Sequence, residues 1–247
     1  VKSYESITDE KILNRWIKIL SEQSVIAVDT ETSSLNPLEA ELVGISFSYA
    51  PNKACYIPLA HKNIKGLKKE VVLKKIKPIL EDPSIKKVGQ NIKFDFIVLS
   101  QNNIEITPLE DTMLISYTLD AGSNRHNLDT LSEIHLNHKT ISYKELVGTG
   151  KNKLNFADIA LDKATEYAAE DADVTLRLYN YLRTRLNEEK LNKIYESFEK
   201  PMVKLLSKLE LNGIKVDDIY LKKLSKKFED KLKNIEKEIY LIAGKEF

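Results

Sequence analysis

The sequence predicts an α/β protein in which a mixed sheet comes first and helices dominate the second part. Three segments, at 25–30 (VIAVDT), 41–50 (ELVGISFSYA) and 54–60 (ACYIPLA), are rich in β-branched and aromatic residues, and turn signals separate them. A fourth strand-like segment, KKVGQ at 86–90, follows a stretch with helical apolar spacing. From about residue 92 onwards the chain reads almost entirely as helix.

The connections between these segments predict how the strands pair. Short turns join the first three segments, which favours antiparallel neighbours, because a parallel crossover needs about a dozen residues or more. KKVGQ differs, since the helical segment EVVLKKIKPILED at 70–82 precedes it. A strand that is reached through a helix is predicted to be parallel, so the sheet as a whole is predicted to be mixed.

The second part of the chain contains several segments with helical spacing. NLDTLSEIHL at 127–136 opens with an asparagine suited to capping, and the stretch at 161–186 is the longest and is rich in strong helix formers. A further helix is predicted to end at Asn212 and Gly213. In the last helix, at 220–244, we interpret the many Lys and Glu residues as a solvated face. Its apolar stripe consists of Leu221, Leu224, Phe228, Leu232, Ile235 and Ile239.

The composition excludes several classes of protein. The 247 residues are 42% hydrophobic and 30% charged, with no apolar run that approaches a membrane span and no signal-peptide pattern. The single cysteine, Cys55, excludes an internal disulfide, argues against a thiolate zinc site and indicates a reducing compartment. The net charge of +1 says nothing about partners. Because the sequence starts at Val1 and stops inside a helical pattern, we expect a fragment of a longer protein.

Two carboxylates stand at the end of the first long predicted strand. Asp29 and Glu31 are separated by one threonine, and residues two apart in a strand point to the same face. Like charges on one face of a buried strand repel each other, and burial makes the repulsion worse. The pair therefore requires either full solvation in a turn or another group bound beside it.

A second acidic position lies in VGQNIKFDFIVL, at 88–99. Asp95 stands among Phe94, Phe96 and other apolar residues, in a segment that is expected to be largely buried. An Asp at this place also fits a helix cap or a solvent-facing position. Asn91 is the more natural cap, however, and this leaves Asp95 less well explained.

The third acidic segment is YAAEDADVT, at 167–175. On a helix, Tyr167 and Asp171 lie one turn apart on one face. Glu170 and Asp173 point elsewhere and are expected to be solvated. By itself, the segment also fits an ordinary amphipathic helix with a surface tyrosine.

Together the three segments predict a metal site. A cluster of bare carboxylates is unstable, whereas hard divalent cations prefer oxygen ligands. Two such ions about 4 Å apart stabilise the attacking and the leaving oxygen of a phosphoryl displacement. A group without His or Cys suits Mg²⁺ or Mn²⁺ rather than structural zinc. The predicted chemical residues are Asp29, Glu31, Asp95, Tyr167 and Asp171.

These segments, in this order, resemble the motifs of a known superfamily. DTET, NIKFD and YAAED resemble the three exonuclease motifs of the tyrosine-bearing branch of the DEDD 3′–5′ exonucleases. Further collinear segments, among them KVGQNIKFD, DTMLISY, RHNLDTLSE and ELNGIKVD, resemble the proofreading domain of the bacterial DNA polymerase I family, which is family A. The resemblance implies a ribonuclease H-like mixed five-stranded sheet flanked by helices, followed by a helical C-terminal segment. The exonuclease domain would occupy 1–189, and the helical start of a truncated polymerase domain would occupy 190–247.

The resemblance also implies a role for each chemical residue. Asp29, Glu31 and Asp171 would hold a first divalent cation, Mg²⁺ or Mn²⁺, with Zn²⁺ as an alternative at this position. Asp29 would bridge to a second cation, which Asp95 would support through water. Tyr167 and Glu31 would orient the attacking water. The implied reaction hydrolyses the terminal phosphodiester of single-stranded or frayed DNA 3′ ends and releases nucleoside 5′-monophosphates, as in proofreading.

Five residues are implied to bind the DNA strand. Leu35 would wedge against the last bases, and Tyr143 would lie against a base face, where stacking tolerates any sequence. Gln90, Asn91 and Arg125 would contact the sugar-phosphate backbone. The structural alternatives are loop packing for Leu35, a helix cap for Asn91 and a surface charge for Arg125.

The resemblance implies further properties of the whole protein. The partners would be a DNA 3′ end or primer terminus and a covalently linked polymerase domain, with no membrane, for a monomer in the bacterial cytoplasm at the nucleoid. Two alternatives stay open, a catalytically silent platform for a polymerase domain and an RNA 3′ exonuclease similar to ribonuclease D. GTGK at 148–151 lacks the spacing of a phosphate-binding loop, and we interpret it as a flexible turn.

Overall fold

The computed structural model describes residues 2–64, 66–150 and 153–246. Six strands among these residues form one sheet. They are β1 (Ser3–Ser6), β2 (Val25–Thr32), β3 (Leu42–Ala50), β4 (Lys53–Pro58), β5 (Lys86–Gly89) and β6 (Leu109–Asp111). The helices are α1 (Glu10–Ser21), α2 (Lys69–Leu80), α3 (Lys93–Gln101), α4 (Thr112–Asp120), α5 (Leu128–Leu136), α6 (Tyr143–Val147), α7 (Leu161–Glu188), α8 (Asn192–Ile194), α9 (Lys200–Asn212) and α10 (Asp218–Ala243).

The mixed sheet that the sequence predicts is confirmed. The strand order is β1-β4-β3-β2-β5-β6. β2, β3 and β4 are antiparallel neighbours, and β5 lies parallel to β2 after the crossover through α2. The sheet has six strands where five were expected. Its edge strands β1 and β6 are parallel to their neighbours and contain four and three residues, too few for a recognisable alternation in the sequence.

Helices cover both faces of the sheet, and the alternation along β2 assigns its side chains to these faces. Ile26 and Val28 join the core that contains residues of α1, α2 and α3, and we call this face the α3 side. Val25 packs on the other face against a core that contains residues of α4, α5 and α7, and we call this face the α7 side. By the same alternation Thr30 belongs to the α3 side, whereas Asp29 and Glu31 belong to the α7 side.

The long helix α7 confirms the prediction at 161–186 and packs across β2, β3 and β4. Asp173 of this helix is fully buried, so the expectation that it is solvated was wrong. Its carboxylate accepts hydrogen bonds from the hydroxyl of Tyr4 at 2.9 Å and from the amide of Asn52 at 2.6 Å. A buried charge is tolerated when it is hydrogen-bonded in this way, and these bonds tie α7 to β1 and to the turn between β3 and β4.

Glu170 of α7 was also expected to be solvated, and its side chain is buried as well. One carboxylate oxygen accepts a hydrogen bond from the amide of Ile141 at 2.7 Å. The other lies 3.2 Å from Nε2 of His138 and 3.4 Å from Nζ of Lys2. The Glu170 carboxylate therefore connects α7 to the segment that leads into α6.

The chain divides into two compact units, Val1–Leu211 and Asn212–Phe247. The helix α9 ends at Asn212 as predicted, and Gly213 follows with φ of +65°, a conformation that favours glycine. In the second unit α10 confirms the predicted amphipathic helix, and the apolar residues of its stripe are exposed except for Leu224, which is half-buried. None of the helices in the described part of the chain has the length and apolarity that a membrane span requires.

Candidate active site

The C-terminal end of β2 presents Asp29 and Glu31 to the α7 side. A register shift at Glu31 and Thr32 marks a β-bulge in the pairing with β3, and such bulges re-aim side chains at strand ends. Gly44 lies opposite Glu31 across this pairing. A Cβ atom at Gly44 would lie 2.0 Å from the hydroxyl oxygen of Tyr56. Glycine is therefore required here so that the buried Tyr56 ring can lie directly beside the strands of the site.

The helix α7 brings the third carboxylate to this place. Asp29, Glu31 and Asp171 each offer a carboxylate oxygen, and these oxygens lie within 4.8 Å of one another. Tyr167 lies one turn before Asp171 and lines the same cavity. Its ring packs edge-on against the ring of Tyr143, with the centroids 6.1 Å apart. Asp29 and Glu31 were predicted to share a strand face, and Tyr167 and Asp171 to share a helix face. The fold brings these two faces together at one cavity.

Asp95 reaches the same cavity from the α3 side. It lies in the first turn of α3, and its Oδ1 accepts hydrogen bonds from the amide and the hydroxyl of Thr30 at 2.9 and 2.5 Å. Within the described residues, the close group of carboxylates consists of Asp29, Glu31 and Asp171, so Asp95 stands apart from it. The cavity therefore opens where the two sides of the sheet meet, beyond the end of β2.

Burial dominates the electrostatics of the site. It raises the pKa of Asp29 to about 6. Burial also raises the pKa of Glu31, and the negative charges of Asp29, Asp171 and Asp95 raise it further. The pKa values of Asp171 and Asp95 are raised by burial first and by the charge of Asp29 second, while the Thr30 hydrogen bonds oppose the shift in Asp95. Such a group of carboxylates favours retained protons or a bound cation.

The donor set fits divalent cations. Its three clustered groups are all carboxylates, and hard cations such as Mg²⁺ and Mn²⁺ prefer oxygen ligands. The described lining of the cavity contains no histidine or cysteine, which removes the donors of a typical structural zinc site. The same charges that disfavour the ionised carboxylates in the absence of metal attract a cation to the site.

Tyr167 remains a neutral phenol at this site. Burial raises its pKa far above the ordinary value of tyrosine, and the charges of Asp171, Glu31 and Asp29 raise it further. A group with such a pKa does not act as a general base near neutral pH. Its hydroxyl can still hydrogen-bond and orient a water molecule.

A cavity of about 500 Å³ brings the predicted residues together, and Arg125 alone among them does not line it. Leu35 stands at the cavity with 87% of its surface exposed, which contradicts the alternative of loop packing. Asn91 also lines the cavity, and its φ of +58° together with Ile92 as the N-cap of α3 shows that it is not a helix cap. Tyr143 lies in the first turn of α6 and faces the same space.

Gln90 and Arg125 are placed differently from these residues. The side-chain amide of Gln90 donates a hydrogen bond to the carbonyl of His126 at 2.7 Å and accepts one from the hydroxyl of Thr112 at 2.5 Å. It lines the cavity with its polar groups already engaged. Arg125 is exposed and lines a separate depression beside Tyr117.

The cavity also contains residues that the sequence analysis did not single out, notably Thr30, Phe94 and Lys153. Thr30 was overlooked because alternation turns it away from its acidic neighbours. Lys153 follows the GTGK segment, whose Lys151 lies outside the described residues. A lysine two residues beyond a presumed turn carries no sequence signal that separates it from other surface lysines.

A family model described as 3′–5′ exonuclease matches residues 4–187. The chain belongs to this 3′–5′ exonuclease family. DNA polymerase I of Rhizobium leguminosarum is 41% identical to this exonuclease over 265 residues, which cover 99% of the chain and 26% of the relative. The chain therefore spans about a quarter of the length of that relative. Membership of the family implies divalent cations at the acidic cluster.

Solved structures share the fold of this exonuclease. The POL domain of Pol1 from M. smegmatis, in complex with a DNA primer-template and dNTP, has a TM-score of 0.76 at 18% identity, over 98% of this chain and 38% of that chain. NrnC of Brucella melitensis has a TM-score of 0.65 at 23% identity, over 89% of this chain and 98% of that chain. The expected ribonuclease H-like fold with a helical C-terminal portion is confirmed.

Proposed function

We propose that this exonuclease hydrolyses the terminal phosphodiester of single-stranded or frayed DNA 3′ ends and releases nucleoside 5′-monophosphates, with two divalent cations, Mg²⁺ or Mn²⁺. The proposal rests on the convergence of three carboxylates within 4.8 Å at the end of β2. Divalent cations in such a site lower the pKa of bound water and stabilise the charge of the transferring phosphoryl group. The ligands would be Asp29, Glu31 and Asp171 for the first position, where Zn²⁺ is an alternative, and Asp29 with Asp95 for the second.

In this proposal the protein orients the water and does not deprotonate it. Tyr167 is proposed to keep its proton, because burial is the largest cause that raises the pKa of its phenol far above the ordinary value of tyrosine. Its hydroxyl and the Glu31 carboxylate together hold the water in line with the scissile bond. Asp95 is held from the opposite side of the sheet by Thr30, so it approaches the reacting phosphate independently of α7.

Four of the five proposed DNA contacts line the cavity. Leu35 projects from its rim to separate the last bases, and Tyr143 offers a ring for stacking. Asn91 is proposed to bond the sugar-phosphate backbone near the terminus. Gln90 is proposed to break one of its two hydrogen bonds within the protein and to form one with the DNA strand instead. Arg125 lies outside the cavity and is proposed to meet a phosphate further along the strand.

The relatives support the proposed partners, and the proposed domain boundary is close to the end of the family match at residue 187, whereas the first compact unit of the fold extends to Leu211. We propose an exonuclease domain over 1–189 and the helical start of a polymerase domain over 190–247. DNA polymerase I relatives match nearly the whole chain, which supports a covalently linked polymerase domain and a role in proofreading. The proposed location is the bacterial cytoplasm at the nucleoid, and the proposed state is a monomer.

Cleavage of a 5′-labelled single strand tests the function. With Mg²⁺, we expect wild-type protein to shorten the strand one nucleotide at a time from its 3′ end, and EDTA to abolish the reaction. Asp29→Asn should lower the rate by at least about a thousandfold, since it removes a ligand of the reacting centre. Asp162→Asn is the matched control, because Asp162 is an exposed carboxylate in the first turn of α7.

The outcomes separate the three functions. An intact DNA strand after incubation with wild-type protein and Mg²⁺ would support the catalytically silent platform and contradict the proposal. Faster cleavage of an RNA strand of matched sequence would support an RNA exonuclease, because the 2′-OH is the chemical difference between the two substrates. Cleavage that persists in Asp29→Asn would show that the reaction takes place elsewhere.

A further inference from the structure

The cavity is strongly acidic, yet its proposed substrate is an anion. Four carboxylates line it, and Lys153 is the one cationic side chain in its described lining. Divalent cations bound by the carboxylates would offset the charge at the reacting phosphate. The next phosphates of the strand require another source of positive charge.

The backbone of Lys153 and Leu154 is hydrogen-bonded near the end of α6, the helix that contains Tyr143. The amide of Lys153 donates a hydrogen bond to the carbonyl of Gly150 at 3.3 Å, and the next amide, that of Leu154, donates one to the carbonyl of Val147 at 2.9 Å. Val147 is the last residue of α6 and is buried. These bonds fix the backbone of Lys153 and Leu154 near the C-terminal end of α6.

The ammonium group of Lys153 lies over the Tyr143 ring, 5.5 Å from the ring centroid. A cation over a tyrosine face is held only weakly at an exposed site, so a stacking base can displace it. A nucleotide carries its phosphate within a few ångströms of its base. A base that takes the place of the ammonium over the ring therefore brings a phosphate within reach of the long, flexible lysine side chain.

We propose that Lys153 binds the phosphate of the nucleotide whose base stacks on Tyr143. The lysine and the ring then form one nucleotide-binding subsite beside the metal centre, with specificity for a phosphate and a base face and none for base identity. This inference rests on the proposed exonuclease function and adds a residue to its substrate site.

The test measures how salt affects binding of a labelled oligo(dT) strand by Lys153→Gln. Fluorescence anisotropy is measured in Mg²⁺ at several KCl concentrations, with Asp29→Asn in every variant to prevent cleavage. For single-stranded DNA, loss of one phosphate contact makes the slope of log affinity against log salt concentration shallower by about 0.7. At 0.1 M KCl this change corresponds to about fivefold lower affinity. Lys153→Arg should restore the slope. Lys18→Gln is the matched control, because Lys18 is an exposed lysine of α1.

A neutral linkage locates the contact on the strand. A series of strands carries a single methylphosphonate, each at a different linkage near the 3′ end. The protein with Lys153 should bind one strand of this series more weakly than the others. With that strand, Lys153→Gln should cause no further loss of affinity. The same fivefold effect with oligo(dA) is expected, since a phosphate contact does not depend on the base.

Three results would contradict the inference, and they are distinguishable from failure of the proposed function. An unchanged salt slope in Lys153→Gln, with wild-type protein that cleaves DNA, overturns the role of Lys153 alone. If Lys18→Gln makes the salt slope shallower by the same amount as Lys153→Gln, the loss is a general effect of charge. This result also overturns the role of Lys153. Wild-type protein that neither cleaves nor binds the strand overturns both proposals. Because Lys153 is exposed, we expect the melting temperature of Lys153→Gln to match wild type, so that binding reports on the contact.

Discussion

Asp95 accepts two hydrogen bonds from Thr30, one from the backbone amide and one from the side-chain hydroxyl. Thr30 stands between Asp29 and Glu31 in β2, but its side chain points to the opposite face of the sheet. The end of β2 therefore positions three carboxylates. Asp29 and Glu31 belong to the strand itself, and Asp95 is held from the other face of the sheet by its hydrogen bonds to Thr30. The geometry of the site depends on the residue between the acidic pair as well as on the pair itself.

Replacing Thr30 with valine tests this dependence. The change removes the hydroxyl donor and keeps the backbone amide and nearly the same volume. A hydrogen bond to a carboxylate contributes about 1.5–3 kcal/mol, so we expect kcat/KM on single-stranded DNA to fall at least about tenfold. The measurement is a comparison of steady-state cleavage rates in Mg²⁺.

The control for this variant is Thr184→Val. Thr184 lies on the exposed part of α7, and its hydroxyl donates to the carbonyl of Asn180 within the same helix. We expect its activity to match wild type. Equal activity of Thr30→Val and Thr184→Val would show that Asp95 does not need this hydroxyl.

Glu170 provides a second test, through the segment that carries Tyr143. Glu170→Ala leaves the amide of Ile141 without its acceptor, at a cost of about 1–3 kcal/mol in the free energy of unfolding. Because Ile141 lies two residues before Tyr143, we expect KM for DNA to rise severalfold while kcat changes less. Thermal melts and steady-state kinetics measure the two effects.

Two further variants show whether Glu170 acts through this hydrogen bond. Glu170→Gln retains an oxygen that can accept from Ile141, so it should recover part of the lost stability and of the KM. Glu188→Ala alters an exposed glutamate at the end of the same helix and should change neither. A fall in kcat with unchanged KM in Glu170→Ala would place its effect at Asp171 rather than at Tyr143.

The stability of the metal-free protein should depend on pH through Asp29. The pKa of Asp29 is raised from 3.8 to about 6 in the folded protein, so the folded state binds more protons than the unfolded chain between about pH 4 and pH 6. Stability therefore falls as pH rises through this window. For Asp29 alone we expect a loss of about 1 kcal/mol between pH 5 and pH 7, measured by thermal melts in EDTA.

Divalent cations should reverse this trend. Metal binding requires ionised carboxylates, so Mg²⁺ or Mn²⁺ should raise the melting temperature more at pH 7 than at pH 5. Asp29→Asn should reduce both the pH dependence in EDTA and the stabilisation by metal. A melting temperature that millimolar metal leaves unchanged at pH 7 would contradict the assignment of the site.

Gly44 should tolerate no side chain while Tyr56 is present. An added Cβ would lie 2.0 Å from the Tyr56 hydroxyl oxygen, which is buried and 2.7 Å from Nε2 of His61. Overpacking of this kind costs about 1–3 kcal/mol, and it displaces the strand opposite Glu31. We expect Gly44→Ala to lower the melting temperature by several degrees and to reduce activity.

A double variant tests the cause of this loss. In Gly44→Ala with Tyr56→Ala the clash is absent, so the pair should be no less stable than Tyr56→Ala alone. Strict additivity of the two losses would show that Gly44 is required for another reason.

Much of the candidate site could be predicted from the sequence. Asp29 and Glu31 share a strand face, and Tyr167 and Asp171 share a helix face, because the periods of strands and helices fix these relations locally. The meander and the parallel strand after α2 followed from the lengths of the connections. The resemblance of three ordered motifs identified the family, which the match over residues 4–187 confirmed.

Other features were wrong or absent in the prediction because they depend on residues that are distant in the chain. Glu170 and Asp173 resemble solvated helix residues until the amides of Ile141 and Asn52 are seen to bond them. The short edge strand β6 forms because β5 offers it a partner, and nothing in its three residues signals a strand.

The order of residues is enough to say which chemical groups this protein has and which of them share a local face. Three relations emerge only when the chain is folded: the oxygens of Asp29, Glu31 and Asp171 lie within 4.8 Å of one another, Thr30 holds Asp95 from the other side of the sheet, and Lys153 lies over Tyr143. The two kinds of relation depend on interactions of different range. Backbone periodicity acts within a few residues, whereas burial, charge and hydrogen bonding between elements depend on how the folded sheet and helices pack.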